Sequence, residues 1–446
     1  MHNVPLVLQP EWAWTPEGVV RWPYVTVDAG KIVGLYRESR HHNVHRLPGR
    51  LMLPGLVNAH SHAFQRAFRG HVQWVDHDRD DFWSWRHAMY ETANRLPPEG
   101  VEAISRLAFL EMIEGGITHV GEFHYLHHQP DGTPYDEPDE LALRVISAAR
   151  SVGLRIALLR VAYGRSAPCK PLRDDQRRFG DADPDAVLLA IQRLRGRDLP
   201  GTTIGLAPHS VRAVPPHWWS TLSHFDGVVH CHVAEQPADV RTSIEEYGAP
   251  PLVVLAERGL VHKRFSAVHL THPSAGELDL LRDSGGRIVA CPGTEMDRGD
   301  GFLPLAAREG VSLCLGSDSH ATIDLFEEAR SLEMHARGLA GRRNVMSPPG
   351  ERHGLARVLL QAATVAGSQA LGAHSGGLVP GAPADMVTLD LRRPAAAGVP
   401  PLEAAALVAT ADWVDGVWVA GEAQVEAGRH ADRDSIVFNA LKWLSA

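Results

Sequence analysis

The chain has 446 residues, 44% of them hydrophobic, and a formal net charge of −9 at pH 7. That length can bury one large core plus a smaller one, and the acidic balance without any Lys/Arg run excludes a partner read by positive charge, whether nucleic acid or membrane surface. Four cysteines without a CxxC pair, and an N-terminus without a basic stretch leading into a long apolar one, predict a cytoplasmic protein without a disulfide framework. No stretch approaches the roughly 18 apolar residues of a membrane span.

Residues 1–50 carry short alternating runs such as YVTVDAGKIVGLY, which read as β-hairpins. From residue 51 to about 340 the pattern changes. Eight short apolar runs predict strands at 51–60, 118–125, 155–163, 203–209, 227–235, 266–272, 287–293 and 311–318. Between them lie segments with apolar spacing near 3.6, including 99–116, 139–153 and 185–196, with acidic or Asp-Pro starts and glycine stops. Strands alternating with helices predict a parallel sheet with right-handed crossovers, and eight such units predict a closed (β/α)₈ TIM barrel over 51–374. An open doubly wound sheet is the structural alternative, but no GxGxxG or GxxxxGK[ST] loop supports it. Residues 375–446 return to alternating runs (ADMVTLDL, WVDGVWVAG). With residues 1–50 they predict a small β-sandwich-like domain built from both termini. The 34 residues from Ala63 to Leu96 are long for a βα connection, which marks them as an active-site lid.

The chemistry gathers at strand ends. His60 and His62 stand two apart at the end of the first strand, so both imidazoles aim the same way. An isolated His-x-His pair is more often an ordinary hydrogen-bonded pair. Strand five, however, ends in His232 and Glu235, strand six carries His269, and strand eight ends in Asp318. Three imidazoles and a carboxylate from strands one, five and eight, on the barrel face where catalytic residues lie, form an N₃O set for Zn²⁺ or Fe²⁺ with a position open to water.

This set, in this order, resembles the amidohydrolase superfamily, and GLVPGAPADMVTLD (377–390) resembles its return into a small β-domain. Strand four ends Ala207-Pro208-His209, and none of Lys31, Lys170, Lys263 and Lys442 lies on it. The resemblance therefore implies a mononuclear member, holding one divalent ion on His60, His62, His232 and Asp318, with Zn²⁺ first and Fe²⁺ as the alternative. Over most of the chain, HSHAFQRAFRG (60–70), DDFWSWRHAMYETANRLPPE (80–99), GEFHYLHH (121–128), APHSVRAV (207–214), HVAEQ (232–236) and GSDSH (316–320) resemble the N-formimino-L-glutamate deiminase family of bacterial histidine breakdown. The segment CPGTEMDRGDG (291–301) departs from that family's CPTTE and neutral stretch at Gly293, Asp297 and Arg298.

The resemblance implies hydrolysis of a formimino group on a small dicarboxylate, in a subunit that is often dimeric. A metal in that set makes water nucleophilic at neutral pH. Asp318 can take the water proton, His269 can hold the water, and Glu235 can protonate the imino nitrogen. Arg86 and Arg212 offer forked donors for two carboxylates, and by resemblance Gln65, Tyr125 and His209 complete the pocket. Trp83 and Trp85 read as packing residues of the lid; His230 and His272 receive no role. Two alternatives stay open: a deaminase of guanine, cytosine or another amidine, and a non-catalytic zinc-holding barrel.

Overall fold

The computed structural model describes residues 5–38, 43–73, 75, 82–305, 310–373 and 377–444. Eight parallel strands form the barrel: β1 (Leu56–Ser61), β2 (Ile117–His124), β3 (Arg155–Ala162), β4 (Thr202–Pro208), β5 (Val229–Val233), β6 (Phe265–His269), β7 (Arg287–Ala290) and β8 (Ser312–Leu315). Each pairs with the next, so the sheet follows chain order, as in a singly wound barrel. The ring closes just beyond β8. Ser61 bridges Asp318, the amides of Ser317 and Asp318 donate to the His60 carbonyl, and Asn58 exchanges two bonds with Ser317. β1, β2, β5 and β6 are buried along their whole length, which is why they read as continuous apolar runs.

The predicted crossover helices appear as Pro98–Glu114, Glu140–Ser151 and Pro184–Arg195, the last capped by the Asp183 side chain on the Ala186 amide. The long connection after β1 holds a 3₁₀ turn (Ala63–Phe68) and a helix (Phe82–Arg95). Its residues 74 and 76–81 lie outside the described residues, as does the Trp83 side chain.

Both termini build one nine-stranded mixed sheet. Leu6–Thr15 runs parallel to His45–Pro54, which pairs antiparallel with Met386–Asp390. One strand boundary needs correction. The run 51–60 is not a single strand: Leu51–Pro54 ends a strand of the small sheet, Gly55 breaks the run, and β1 begins at Leu56. Both pieces are buried on both faces, so apolar continuity hides the change of sheet. The C-terminal segment is also less purely β than its pattern predicts, with helices at Pro401–Leu407 and Arg433–Leu444.

Gly316, at the turn after β8, is fixed by crowding. A Cβ there would stand 2.7 Å from the His60 Cβ and 2.9 Å from both the Cys291 Sγ and the His60 carbonyl oxygen. Gly316→Ala is expected to destabilise the protein by about 1–3 kcal/mol, as overpacking of a filled core does, seen as a lower unfolding temperature. An unchanged transition would mean that β1 can yield at His60.

Candidate active site

The C-terminal ends of β1, β5, β6 and β8 bring His60, His62, His232, His269 and Asp318 to one point. One ligating atom from each of His60, His62, His232 and Asp318 lies within 4.8 Å of all the others, and all four side chains are buried. The Asp318 Oδ1 is 3.4 Å from the His60 Nε2 and 3.2 Å from the His62 Nε2. The His232 Nε2 is 3.2 Å from the His60 Nε2. Backbone bends aim the late groups inward: Ala234, His269 and Asp318 all have φ between 44° and 70°. Such conformations cost about 1–3 kcal/mol each in non-glycine residues and persist where surrounding structure holds them.

The hydrogen bonds around the rings decide what this cluster can hold. The His62 Nδ1 donates to the Phe123 carbonyl and the His232 Nδ1 to the His209 carbonyl, each at 3.0 Å. In the neutral ring each Nε2 then turns a lone pair inward. Burial lowers the pKa of His60 to about 3 and holds His232 far below its ordinary value, which keeps both rings neutral. Lone pairs from two or three imidazoles therefore face each other and a carboxylate oxygen. Among the described residues, the buried Asp318 Oδ1 has no hydrogen-bond donor. An inward-facing set of nitrogens and one oxygen, without protons to share, fits a divalent cation.

A second layer sets the proton-handling groups. The His269 Nδ1 lies 3.3 Å from the Glu295 Oε1, which also accepts the Cys291 amide; the His269 Nε2 faces the Glu235 Oε1 at 3.5 Å and the Asp318 Oδ2 at 3.7 Å. Burial opposes charge on this ring, but Glu235, Glu295 and Asp318 outweigh it and raise its pKa to about 9. Glu295 was not picked out by sequence reasoning. Its signal was the spacing Cys291-x-x-x-Glu295, one turn of the short helix Pro292–Asp297. Glu295→Ala is expected to lower kcat by about 10–100-fold while moving KM little, the usual cost of losing a partner that orients a site imidazole. A matching change in KM would place Glu295 against substrate instead.

A small cavity of about 30 Å³ opens on this point, lined by His62, Gln65, Arg86, Tyr125, His209, Arg212, His232, Glu235 and Arg298, with Phe82, Trp85, Met89, Tyr90 and Tyr163. Every substrate-side residue expected from the sequence thus shares one cavity. Gln65 donates to the Tyr125 hydroxyl at 2.8 Å, and the His209 Nδ1 meets the Ser210 Oγ at 3.1 Å. Arg86, on the Phe82–Arg95 helix, donates to the Tyr90 hydroxyl at 2.8 Å and the Tyr163 hydroxyl at 3.2 Å. Arg212 differs from the expectation of a guanidinium awaiting substrate, because it forms an ion pair with Asp239. The two unassigned histidines have structural partners: the His230 Nε2 reaches the Ala370 carbonyl and the His272 Nε2 the Asp300 carbonyl. A larger cavity of about 190 Å³ lies at the opposite barrel end, around Thr118, Arg155 and Asp385, away from the His60, His62, His232 and Asp318 cluster.

Parallel strands in a ring, with three imidazoles and a carboxylate at the C-terminal rim, are the architecture of a barrel hydrolase. Residues 51–423 match the amidohydrolase family, and the chain belongs to it. It is a hydrolase of carbon–nitrogen bonds, which sets aside the non-catalytic zinc barrel. The chain is 37% identical over 434 residues to the formimidoylglutamate deiminase of Pseudomonas aeruginosa, covering 95% of each. It is 28% identical to a 5-methylthioadenosine/S-adenosylhomocysteine deaminase of Halobacterium salinarum, covering 87% of this chain and 83% of the relative. Among solved structures, an amidohydrolase of Brucella melitensis superposes with a TM-score of 0.91 at 34% identity, covering 99% of both chains. An adenosine deaminase of Xanthomonas campestris with bound zinc superposes at 0.83 and 25% identity, covering 99% of this chain and 98% of that one. Among the described residues, no helix is long and apolar enough to cross a membrane.

Proposed function

We propose that this chain hydrolyses N-formimino-L-glutamate to N-formyl-L-glutamate and ammonia, with one divalent ion, Zn²⁺ first, on His60, His62, His232 and Asp318. The observation that carries this reading is the shared cavity: Arg86 and Arg212 line the same small space as Glu235 and the inward-facing imidazoles. The 37% identity to a formimidoylglutamate deiminase supports it. When bound, the ion supplies Lewis acidity that makes water a nucleophile at neutral pH.

The rest falls to the chain's own groups. His269 orients the water through its Nε2. Asp318 accepts a water proton at Oδ2 as oxygen adds to the formimino carbon. Glu235 delivers a proton to the imino nitrogen, and the proton that Asp318 took from water then passes to the resulting amine; the carbon–nitrogen bond breaks, ammonia leaves, and the hydroxyl gives its proton back to Glu235 as the carbonyl forms. Each such transfer is worth about 10²–10⁴ in rate. The arginines hold the carboxylates, and the lid helix excludes bulk water.

The test is a substrate panel on metal-replete protein, with metal content measured on the same sample. N-formimino-L-glutamate should release ammonia and formylglutamate in equal amounts. The similarity to adenosine-type deaminases supports a second reading, so the panel includes 5-methylthioadenosine, guanine and cytosine. Ammonia from one of these and none from formiminoglutamate would overturn the proposal.

A further inference from the structure

Arg298 stands where the reacting group of an amidine would have to stand. Its guanidinium is 5% exposed. One nitrogen, Nη2, lies 2.6 Å from the Glu235 Oε1 and 2.7 Å from the Asp318 Oδ2, and Nε is 3.2 Å from the Asp300 Oδ2. Its Cζ lies 4.8 Å from the centre of the Trp85 ring and 5.7 Å from that of Phe82, so the lid helix covers it. Asp318 divides its oxygens: Oδ1 faces His60 and His62, and Oδ2 faces Arg298. The arginine therefore engages the oxygen away from the ligand cluster, and its position does not compete with a cation held there.

Two consequences follow from charge. Three carboxylates surround this guanidinium, so it is already neutralised and makes a poor receptor for a substrate carboxylate. The two oxygens it bridges are also those that the functional reading gives to proton transfer, and an oxygen committed to a guanidinium neither accepts a proton from water nor carries one to a leaving nitrogen. A protonated amidine is, like a guanidinium, a planar cation with N–H donors in a fork. It can replace Arg298 one for one between Glu235 and Asp318 without leaving either buried carboxylate bare. A neutral amide cannot, because it would leave the carboxylate pair without a counter-charge.

We propose that Arg298 is a specificity-determining residue that occupies the amidine subsite and yields it only to a cationic amidine, returning once hydrolysis has made a neutral formamide. The residue ends the short helix Pro292–Asp297, next to Gly299 in the left-handed region (φ 66°), where a substituted Cβ would meet nothing within 4 Å. With Arg298 in place the cavity at this point is small, about 30 Å³, and Arg298 is part of its lining.

This inference rests on the amidine part of the functional reading, and its test is binding rather than turnover. Acetamidinium and its neutral counterpart acetamide are titrated calorimetrically into metal-loaded wild type, Arg298→Leu and Arg298→Gln. With the internal cation gone, acetamidinium should bind about tenfold tighter or more to either variant, while acetamide gains much less. Should Arg298→Leu fail to fold, Arg298→Gln, which keeps a polar side chain of similar reach, decides. Equal acetamidinium affinity in wild type and a folded variant would overturn the exchange, as would an equal gain for acetamide. Failure to hydrolyse formiminoglutamate would sink the substrate assignment and leave this result standing; unchanged binding in a protein that does hydrolyse it would sink the exchange alone.

Discussion

Asp318→Asn should lower kcat by about 10²–10⁴ and strip the protein of most of its divalent metal. The carboxylate is fully buried and its two oxygens face different partners. Oδ1 points at the Nε2 atoms of His60 and His62, while Oδ2 meets Arg298 at 2.7 Å and stands 3.7 Å from the His269 Nε2. An amide has one oxygen. Turned one way, its NH₂ confronts a bound cation; turned the other, it confronts the Arg298 guanidinium and cannot take a proton from water. Stability falls too. Burial opposes charge on Asp318, but Arg298 outweighs it and holds the folded pKa well below the ordinary carboxylate value. A depressed folded pKa stabilises at every pH above the unfolded value of about 3.9 and is lost only as pH falls through the folded one, so the variant lacks this term at neutral pH. Removing one partner of a buried pair costs about 3–5 kcal/mol, less here because Glu235 and Asp300 still face Arg298. Elemental analysis, kcat and the unfolding midpoint on one preparation check all three effects. Full metal content with kcat within about tenfold of wild type would remove Asp318 from both roles.

Why these residues were readable and others were not is a matter of range. The period of a strand places His60 and His62 on one side from local sequence alone, and a polar residue at or just past the end of an apolar run marks His232 and Asp318. The ring then brings them together wherever eight βα units close. Glu235 reaches the same centre because Ala234 turns left-handed, a bend that nothing in HVAEQ announces. Arg298 was visible only as a charged residue in an unusual segment. That it folds under Trp85 onto Glu235 and Asp318 depends on contacts with residues 20 to more than 200 positions away. The Arg212–Asp239 pair joins the loop after β4 to the first turn of the helix Pro237–Tyr247 across 27 residues, so spacing offered no hint of it. The C-terminal helix Arg433–Leu444 was masked by Ile436, Val437 and Phe438, whose β-branched and aromatic side chains favour strands until packing overrides propensity.

That pair sets how much Arg212 should contribute to the affinity for a dicarboxylate. From sequence alone, Arg212→Ala is expected to weaken binding by about 2–5 kcal/mol, as truncating one side of a buried charge pair does. In the structure Asp239 already engages Arg212, and the Asp239 Oδ2 also accepts the Gln236 amide at the start of the helix Pro237–Tyr247. A substrate carboxylate would share that guanidinium with a resident one. Arg86 is placed otherwise. It is 8% exposed, and it donates to the hydroxyls of Tyr90 and Tyr163, which both accept from the Gln176 side chain at 2.9 Å and orient its fork. Arg86→Ala should cost about 2–5 kcal/mol, or roughly 30-fold to several thousand-fold in kcat/KM for N-formimino-L-glutamate. Arg212→Ala should fall at the low end of the same range, because Asp239 shares its guanidinium. N-formiminoglycine separates recognition from general damage, since it keeps the reacting group and one carboxylate but lacks the distal one. If Arg86 grips the distal carboxylate, Arg86→Ala should leave the kcat/KM of the shorter compound nearly unchanged. A loss of equal size on both compounds would mean that Arg86 supports the lid through Tyr90 and Tyr163 rather than the substrate, and the carboxylate would have to be sought at Arg212.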